Sequence, residues 1–292
     1  MKCLKELKIR GRAKINLSLD VLRRREDGYH EVKMIMQQVD LYDEITLREI
    51  EEGIKLECNC EFIPVDEGNI AYRAAKLIKE KYHIQQGIYI HIDKNIPVAA
   101  GLAGGSTNAA AVLLGLNNLW DLGADKEALM ELGMKLGADV PFCILGGAAL
   151  AEGIGEKLTP IQGLENTWVV LCKPNIGVST ADVYKNLDVN KIQQRPDTER
   201  ILDALCRKDI QVVAGNLKNV LEQVTEQMHP IVRDIKRRML EYNALGSIMS
   251  GSGPTVFGLY KDYNKAKSAY DNLNKVYKQT YVVKTFSGVE GL

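Results

Sequence analysis

Residues 97–119 carry no charged side chain. The run begins Pro97-Val98-Ala99-Ala100-Gly101-Leu102-Ala103-Gly104-Gly105-Ser106-Thr107-Asn108-Ala109-Ala110 and continues into Ala111, Val112, Leu113, Leu114 and Leu116. A helix that is apolar nearly all round has to be buried. The spacing therefore predicts a core helix over about 106–119, with its start at a fixed place inside the fold. The glycines before it allow tight turns and close approach of the backbone to a ligand. Ser106 and Thr107 are suitable N-cap residues. A helix N-terminus offers unpaired N–H groups and partial positive charge, which suits phosphate. The run lacks the Gly-Lys-Ser/Thr ending of the Walker loop and is not the dinucleotide fingerprint. It also reads as a plain glycine-rich connection between a strand and a helix.

Around this run the pattern predicts strands at 7–22, 32–39, 44–50 and 87–92, and helices at 69–82 and 125–136. Residues 156–166, with Pro160 and Gly163, read as a linker. Beyond it come a strand at 168–172, helices within 179–241, strands at 244–249 and 255–260, a helix at 263–276 and a strand at 281–286. With the middle helices set aside, that is the split βαβ order of ferredoxin-like folds.

Lys plus Arg equals Asp plus Glu at 38 each, so no global charge draws the chain to nucleic acid or to an anionic membrane. Arg23-Arg24-Arg25 and Lys236-Arg237-Arg238 read as solvated faces. Cys58-Asn59-Cys60 lacks zinc spacing, and Cys3, Cys143, Cys172 and Cys206 are scattered. All six are expected to be reduced thiols. The N-terminus has no apolar signal core, and the apolar run 140–151 is too short to span a bilayer. The expected location is cytoplasmic.

Four further segments could carry chemistry. In Gly137-Ala138-Asp139-Val140-Pro141-Phe142, Asp139 is either a helix cap, with Pro141 just inside the helix start, or a carboxylate in a dry site that takes or orients a hydroxyl proton. Lys14 and Asn16 share one face of the first strand with Arg12 and Ser18, which suits either a site or an exposed polar face. Asp27-Gly28-Tyr29-His30 is a turn signal whose two rings could stack on a planar base. Met249-Ser250-Gly251-Ser252-Gly253-Pro254-Thr255 is a hairpin turn or a second backbone wall around a polar substrate.

Together these segments resemble the superfamily of galactokinase, homoserine kinase, mevalonate kinase and phosphomevalonate kinase. The Lys-containing first strand, the 97–107 loop and the late Ser-Gly-Ser-Gly-Pro turn appear in that superfamily's order. Within it the chain is most similar to the family of 4-diphosphocytidyl-2-C-methyl-D-erythritol kinases, through Ala13-Lys14-Ile15-Asn16-Leu17, Asp27-Gly28-Tyr29-His30-Glu31 and Gly137 to Phe142. The likeness covers almost the whole chain and is weakest over about 185–240.

The resemblance implies an α+β fold of two domains, an ATP-binding domain over 1–160 and a ferredoxin-like domain over 161–292. It implies a kinase that uses ATP and Mg²⁺ to phosphorylate the 2-hydroxyl of a small-molecule substrate carrying a cytidine diphosphate group, giving the 2-phosphate and ADP in non-mevalonate isoprenoid precursor synthesis. Neither nucleic acid nor membrane is an expected partner. By the same resemblance Asp139 and Lys14 are catalytic, Pro97 to Thr107 cradle the ATP phosphates, and Asn69 and Lys94 lie on the nucleotide side. Tyr29, His30 and Tyr184 meet the cytosine, and Asn16 and Thr180 meet the methylerythritol end. The metal ligands are unknown, with the Ser106 hydroxyl a candidate. The chain departs from many superfamily members in carrying Asn108 where they have aspartate.

Overall fold

Strand β1 (Glu6–Arg24) is buried continuously from Gly11 to Val21. Arg12, Lys14, Asn16, Ser18 and Asp20 on its polar face are as buried as Ile15 and Leu17 on the other, so the exposed polar face considered from sequence is not what forms. The architecture is a computed structural model describing residues 4–288; Cys3 and the first residues of the N-terminal reading lie outside the described residues.

The chain divides into two units, one made of residues up to Ala13 with 41–98 and 103–146, the other of 14–40, 99–102 and the residues from Gly147 onward. β1 and β2 (His30–Ile50) each pass from one unit to the other. β2 is one strand where the sequence suggests two, at 32–39 and 44–50. Asp40 and Asp43 look like a break, but residues 41–47 keep strict alternation, with Leu41, Asp43, Ile45 and Leu47 all buried.

In the first unit β2 pairs antiparallel with β4 (Gly87–Asp93), and β3 (Ile54–Cys58) pairs parallel with β4. Helix α1 (Ile70–Lys81) is capped by Asn69, whose side chain accepts the Ala71 N–H, and Lys79 and Lys81 complement its C-terminal dipole. It packs on α2 (Gly104–Leu119), which is buried nearly all round, as its composition requires. Burying side chains such as Leu113 and Leu116 contributes about 1.5–3 kcal/mol each. α3 (Lys126–Met134), capped by Asp125, and α4 (Val140–Leu145) complete this unit.

In the second unit β5 (Ala148–Gly153) pairs with the first half of β2 and with β6 (Lys157–Pro160). The segment read as a linker thus supplies a strand, because Lys157-Leu158-Thr159-Pro160 closes a tight hairpin through Gly153 and Gly155. After β7 (Trp168–Lys173) come α5 (Thr180–Asn186), α6 (Thr198–Cys206), α7 (Ile210–Gly215), the two-residue β8 (Lys218–Asn219), α8 (Glu222–Met228) and α9 (Ile231–Glu241). β9 (Gly246–Met249), β10 (Val256–Tyr260), α10 (Tyr263–Leu273) and β11 (Gln279–Lys284) follow. β7, β9, β10 and β11 form an antiparallel sheet in the order β11-β7-β10-β9, with α9 and α10 packed on it. This is the ferredoxin-like arrangement expected, with α5–α8 inserted after its first strand. β8 lies parallel to β1 and carries no periodic signal. The five described cysteines are all thiols.

Candidate active site

After β4 the chain turns through Lys94, Asn95 and Ile96, runs through 97–103 and enters α2 two residues earlier than the sequence suggests. Ala103 occupies the N-cap in the left-handed region (φ 58°), and no side chain caps the helix. The expected caps are employed elsewhere or lie within the helix. Thr107 Oγ1 donates to the Arg12 carbonyl at 2.5 Å, and Ser106 is the half-buried third residue of α2. The first-turn N–H groups are therefore left to a ligand or to solvent. Ala99 is also left-handed (φ 50°), and strained backbone of this kind gathers at binding sites.

Within the second unit, Gly101 (φ 72°) lies against the Ser250–Gly253 turn. Ser250 Oγ donates to the Gly101 carbonyl at 3.0 Å, and a Cβ on Gly101 would stand 2.3 Å from the Ser250 carbonyl oxygen. The Lys14 N–H donates to the Leu102 carbonyl at 3.2 Å, and Lys14 Nζ donates to Asn16 Oδ1 at 2.7 Å. Asn16 Nδ2 also approaches Met34 Sδ at 3.3 Å.

The turn itself is held from β8 and α8. Asn219 Nδ2 donates to the Met249 and Gly251 carbonyls at 2.9 and 2.8 Å. Glu222 accepts the Met249 N–H at 2.8 Å and pairs with Lys236, and Thr225 Oγ1 donates to the Ser252 carbonyl. Burial pushes the Glu222 carboxyl up, against the pull of the Lys236 ammonium. Sequence reasoning missed Asn219 and Glu222, since nothing local marks a side chain whose partners lie about thirty residues away.

Asp139 stands at the N-cap of α4, but its carboxylate makes no capping bond and its backbone is helical (φ −83°, ψ −13°). The plain helix-cap reading is therefore not what the side chain does. Asp139 is half-buried and belongs to the first unit, whereas Lys14 is buried and belongs to the second.

The Asp27-Gly28 turn joins β1 to β2, with Gly28 at φ 86° and Asp27 Oδ1 accepting the Tyr29 N–H at 3.1 Å. It leaves Tyr29 60% exposed. His30 meets Tyr184 of α5 with ring centroids 5.0 Å apart. Two of the three aromatic residues singled out, 154 positions apart in the chain, thus come together. Partial burial, helped by the Arg24 charge, holds the His30 pKa below its usual value, which favours the neutral ring. Thr180 Oγ1 and Ser252 Oγ share a hydrogen bond at 2.7 Å.

On the nucleotide side, the Asn69 amide is occupied as the α1 cap and as a donor to the Pro64 carbonyl at 2.8 Å. The Lys94 side chain is 5% exposed, and its Nζ donates to Asp43 Oδ2 at 2.5 Å and to the Ile96 carbonyl at 2.8 Å. Asp43 carried no assignment from sequence. Its signal was parity, because Leu41, Ile45 and Leu47 put it on the buried face.

The chain resembles known proteins over nearly its whole length. The model of the GHMP kinases N terminal domain matches residues 69–147, and that of the GHMP kinases C terminal matches 201–279. A 4-diphosphocytidyl-2-C-methyl-D-erythritol kinase from Alkaliphilus metalliredigens is 61% identical, covering 97% of this chain and 98% of its own length. Another from Clostridioides difficile is 53% identical, covering 97% of each. A crystal structure of 4-(cytidine 5'-diphospho)-2C-methyl-D-erythritol kinase superposes with a TM-score of 0.84 at 33% identity, covering 97% of this chain and all of that one. Homoserine kinase from Cytophaga hutchinsonii, at 21% identity and a TM-score of 0.78 over 98% of this chain and 96% of its own, shares the fold. The chain belongs to the GHMP kinases and, within them, to the 4-diphosphocytidyl-2-C-methyl-D-erythritol kinase family.

Proposed function

We propose that this enzyme transfers the γ-phosphoryl group of ATP to the 2-hydroxyl of 4-diphosphocytidyl-2-C-methyl-D-erythritol, giving the 2-phosphate and ADP, a step in non-mevalonate isoprenoid precursor synthesis. The observation that carries this reading is the 61% identity, over nearly all of both chains, to a kinase named for that substrate. The His30–Tyr184 ring pair supports it, since a cytosine ring offers a face to stack on. Homoserine and mevalonate offer none.

In the reaction the substrate oxygen bonds to the γ-phosphorus while the bond from that phosphorus to the β-γ bridging oxygen breaks and ADP leaves. The hydroxyl proton passes to Asp139, or is held by it until transfer. Lys14 contributes positive charge that stabilises the negative charge of transfer. The residues present fit a polyphosphate, because no side chain caps the α2 first-turn N–H groups. Pro97 to Thr107 form that cradle.

Among the described residues no group of three or more His, Cys, Asp or Glu could hold a metal. Mg²⁺ in phosphoryl transfer asks for less, one or two protein oxygens with phosphates and water completing the shell. The Ser106 hydroxyl fits that part. When bound, Mg²⁺ neutralises charge at the β- and γ-phosphates. Asn69 and Lys94 serve the nucleotide side by holding the backbone that meets it. Tyr29 joins His30 and Tyr184 at the cytosine, and Asn16 and Thr180 face the methylerythritol.

We infer a division into domains at 160/161, between the two family matches at 69–147 and 201–279, whereas the compact units interleave along the chain and last part at 146/147. Among the described residues no helix is long and apolar enough to cross a membrane. The thiols support the cytoplasmic assignment.

Phosphorus NMR of the product tests the reaction. One new phosphomonoester signal with the diphosphate signals intact is expected, and loss of the diphosphate pair would contradict it. For the cytosine contact, His30→Ala should remove about 1–3 kcal/mol of stacking. The expected result is a rise in the substrate KM of about tenfold with the ATP KM unchanged. An unchanged substrate KM would remove His30 from base recognition.

A further inference from the structure

One buried carboxylate joins the entry and the exit of the glycine-rich segment. Asp43 is fully buried, and its two oxygens receive four donors. Oδ1 accepts the N–H groups of Asn95 at 2.7 Å and Ile96 at 2.8 Å, the residues that lead into the segment. Oδ2 accepts Lys94 Nζ at 2.5 Å and Asn108 Nδ2 at 2.7 Å, and Asn108 lies in the second turn of α2, beyond the segment. Lys94 Nζ also donates to the Ile96 carbonyl, and a Cβ on Gly104 would stand 2.9 Å from it. The start of α2 therefore rests directly on this ion pair. Burying a charge pair is costly, and apolar residues of the same shape often stabilise a fold as well or better. Stability alone is a poor reason for the cluster, whereas fixing two chain ends at a set separation requires directional donors.

We propose that Asp43 is the positioning residue of the glycine-rich segment. Its carboxylate, with Lys94 and Asn108, fixes both ends of that segment so that the first-turn N–H groups of α2 are set for a polyphosphate before the nucleotide arrives. The proposal rests on the reading above only in taking ATP as the ligand of the segment.

The test uses the full-length chain with Asn108→Asp, which opposes a second carboxylate to Asp43, and the exchange Asp43→Asn with Asn108→Asp, which restores one carboxylate and one amide to the same place. Asn108→Asp should raise the ATP KM and the calorimetric Kd for MgATP about tenfold or more. The KM for the cytidyl alcohol should stay within about twofold. The exchange should return the ATP values to within about threefold of wild type. Should Asn108→Asp fail to fold, Asn108→Ala removes the donor without adding charge and should raise the ATP KM about threefold.

A lowered melting temperature with an unchanged ATP KM would reduce the cluster to a structural role and overturn the proposal. An exchange no better than Asn108→Asp alone would overturn it too. The calorimetry needs no alcohol, so a wild type that binds MgATP without phosphorylating the cytidyl alcohol would refute the proposed reaction and leave Asp43 judged by the Kd values. A wild type that does not bind MgATP would overturn both.

Discussion

Asp139→Asn is expected to lower kcat by about two to four orders of magnitude, the usual contribution of a positioned proton acceptor, while leaving the Kd for MgATP within about twofold. The substitution keeps the shape of the side chain and removes its charge. Helix α4 does not use the carboxylate as a cap, so the loss of kcat should far exceed any loss of stability. Single-turnover kinetics with both substrates saturating isolates the step. Turnover at the wild-type rate would take Asp139 out of the chemistry, and a collapse of stability in step with activity would recast it as a structural residue.

Gly101→Ala is expected to be the most damaging conservative change in the glycine-rich segment. At φ 72° a side chain costs about 1–2 kcal/mol, and the new Cβ would meet the Ser250 carbonyl oxygen at 2.3 Å. That oxygen is backbone, in a turn held by Asn219, Glu222 and Thr225, so it cannot swing aside as a long side chain would. Forcing the two apart adds about 1–3 kcal/mol. Urea unfolding should show a lower midpoint with an unchanged slope, a loss of about 2–5 kcal/mol in all. A midpoint matching wild type would mean that the turn yields freely and does not hold the segment.

The sequence carried those parts whose physics is local. Glycines followed by an uncharged apolar helix can only be a close-approach turn and a buried helix, and that is how 97–119 folds. The four strands and paired helices of the ferredoxin-like sheet were legible because each strand is a short apolar run bounded by turn residues, as at Trp168–Lys173. The helices at 125–136 and 263–276 are legible for the same local reason, and Asp125 and Asp262 cap them in the fold.

What escaped depends on partners distant in the chain. Asp43 reads as a break in a strand because its four donors lie 51 to 65 residues away. Lys94 is placed on the nucleotide side by resemblance alone, and its counter-charge, Asp43, is visible only in the fold. Asn219 is an ordinary polar residue until β8 aligns with β1 and brings its amide to two carbonyls of the turn. Thr107 was read as a cap from its position relative to the glycines, but α2 starts earlier and the hydroxyl bonds back to β1. His30 and Tyr184 were each singled out, yet only the fold gives them a shared face.

The most direct measurement is MgATP-dependent ADP release with 4-diphosphocytidyl-2-C-methyl-D-erythritol, homoserine and mevalonate assayed side by side. The account predicts turnover with the cytidyl alcohol and none above background with the other two. Turnover of homoserine or mevalonate, with none of the cytidyl alcohol, would contradict it.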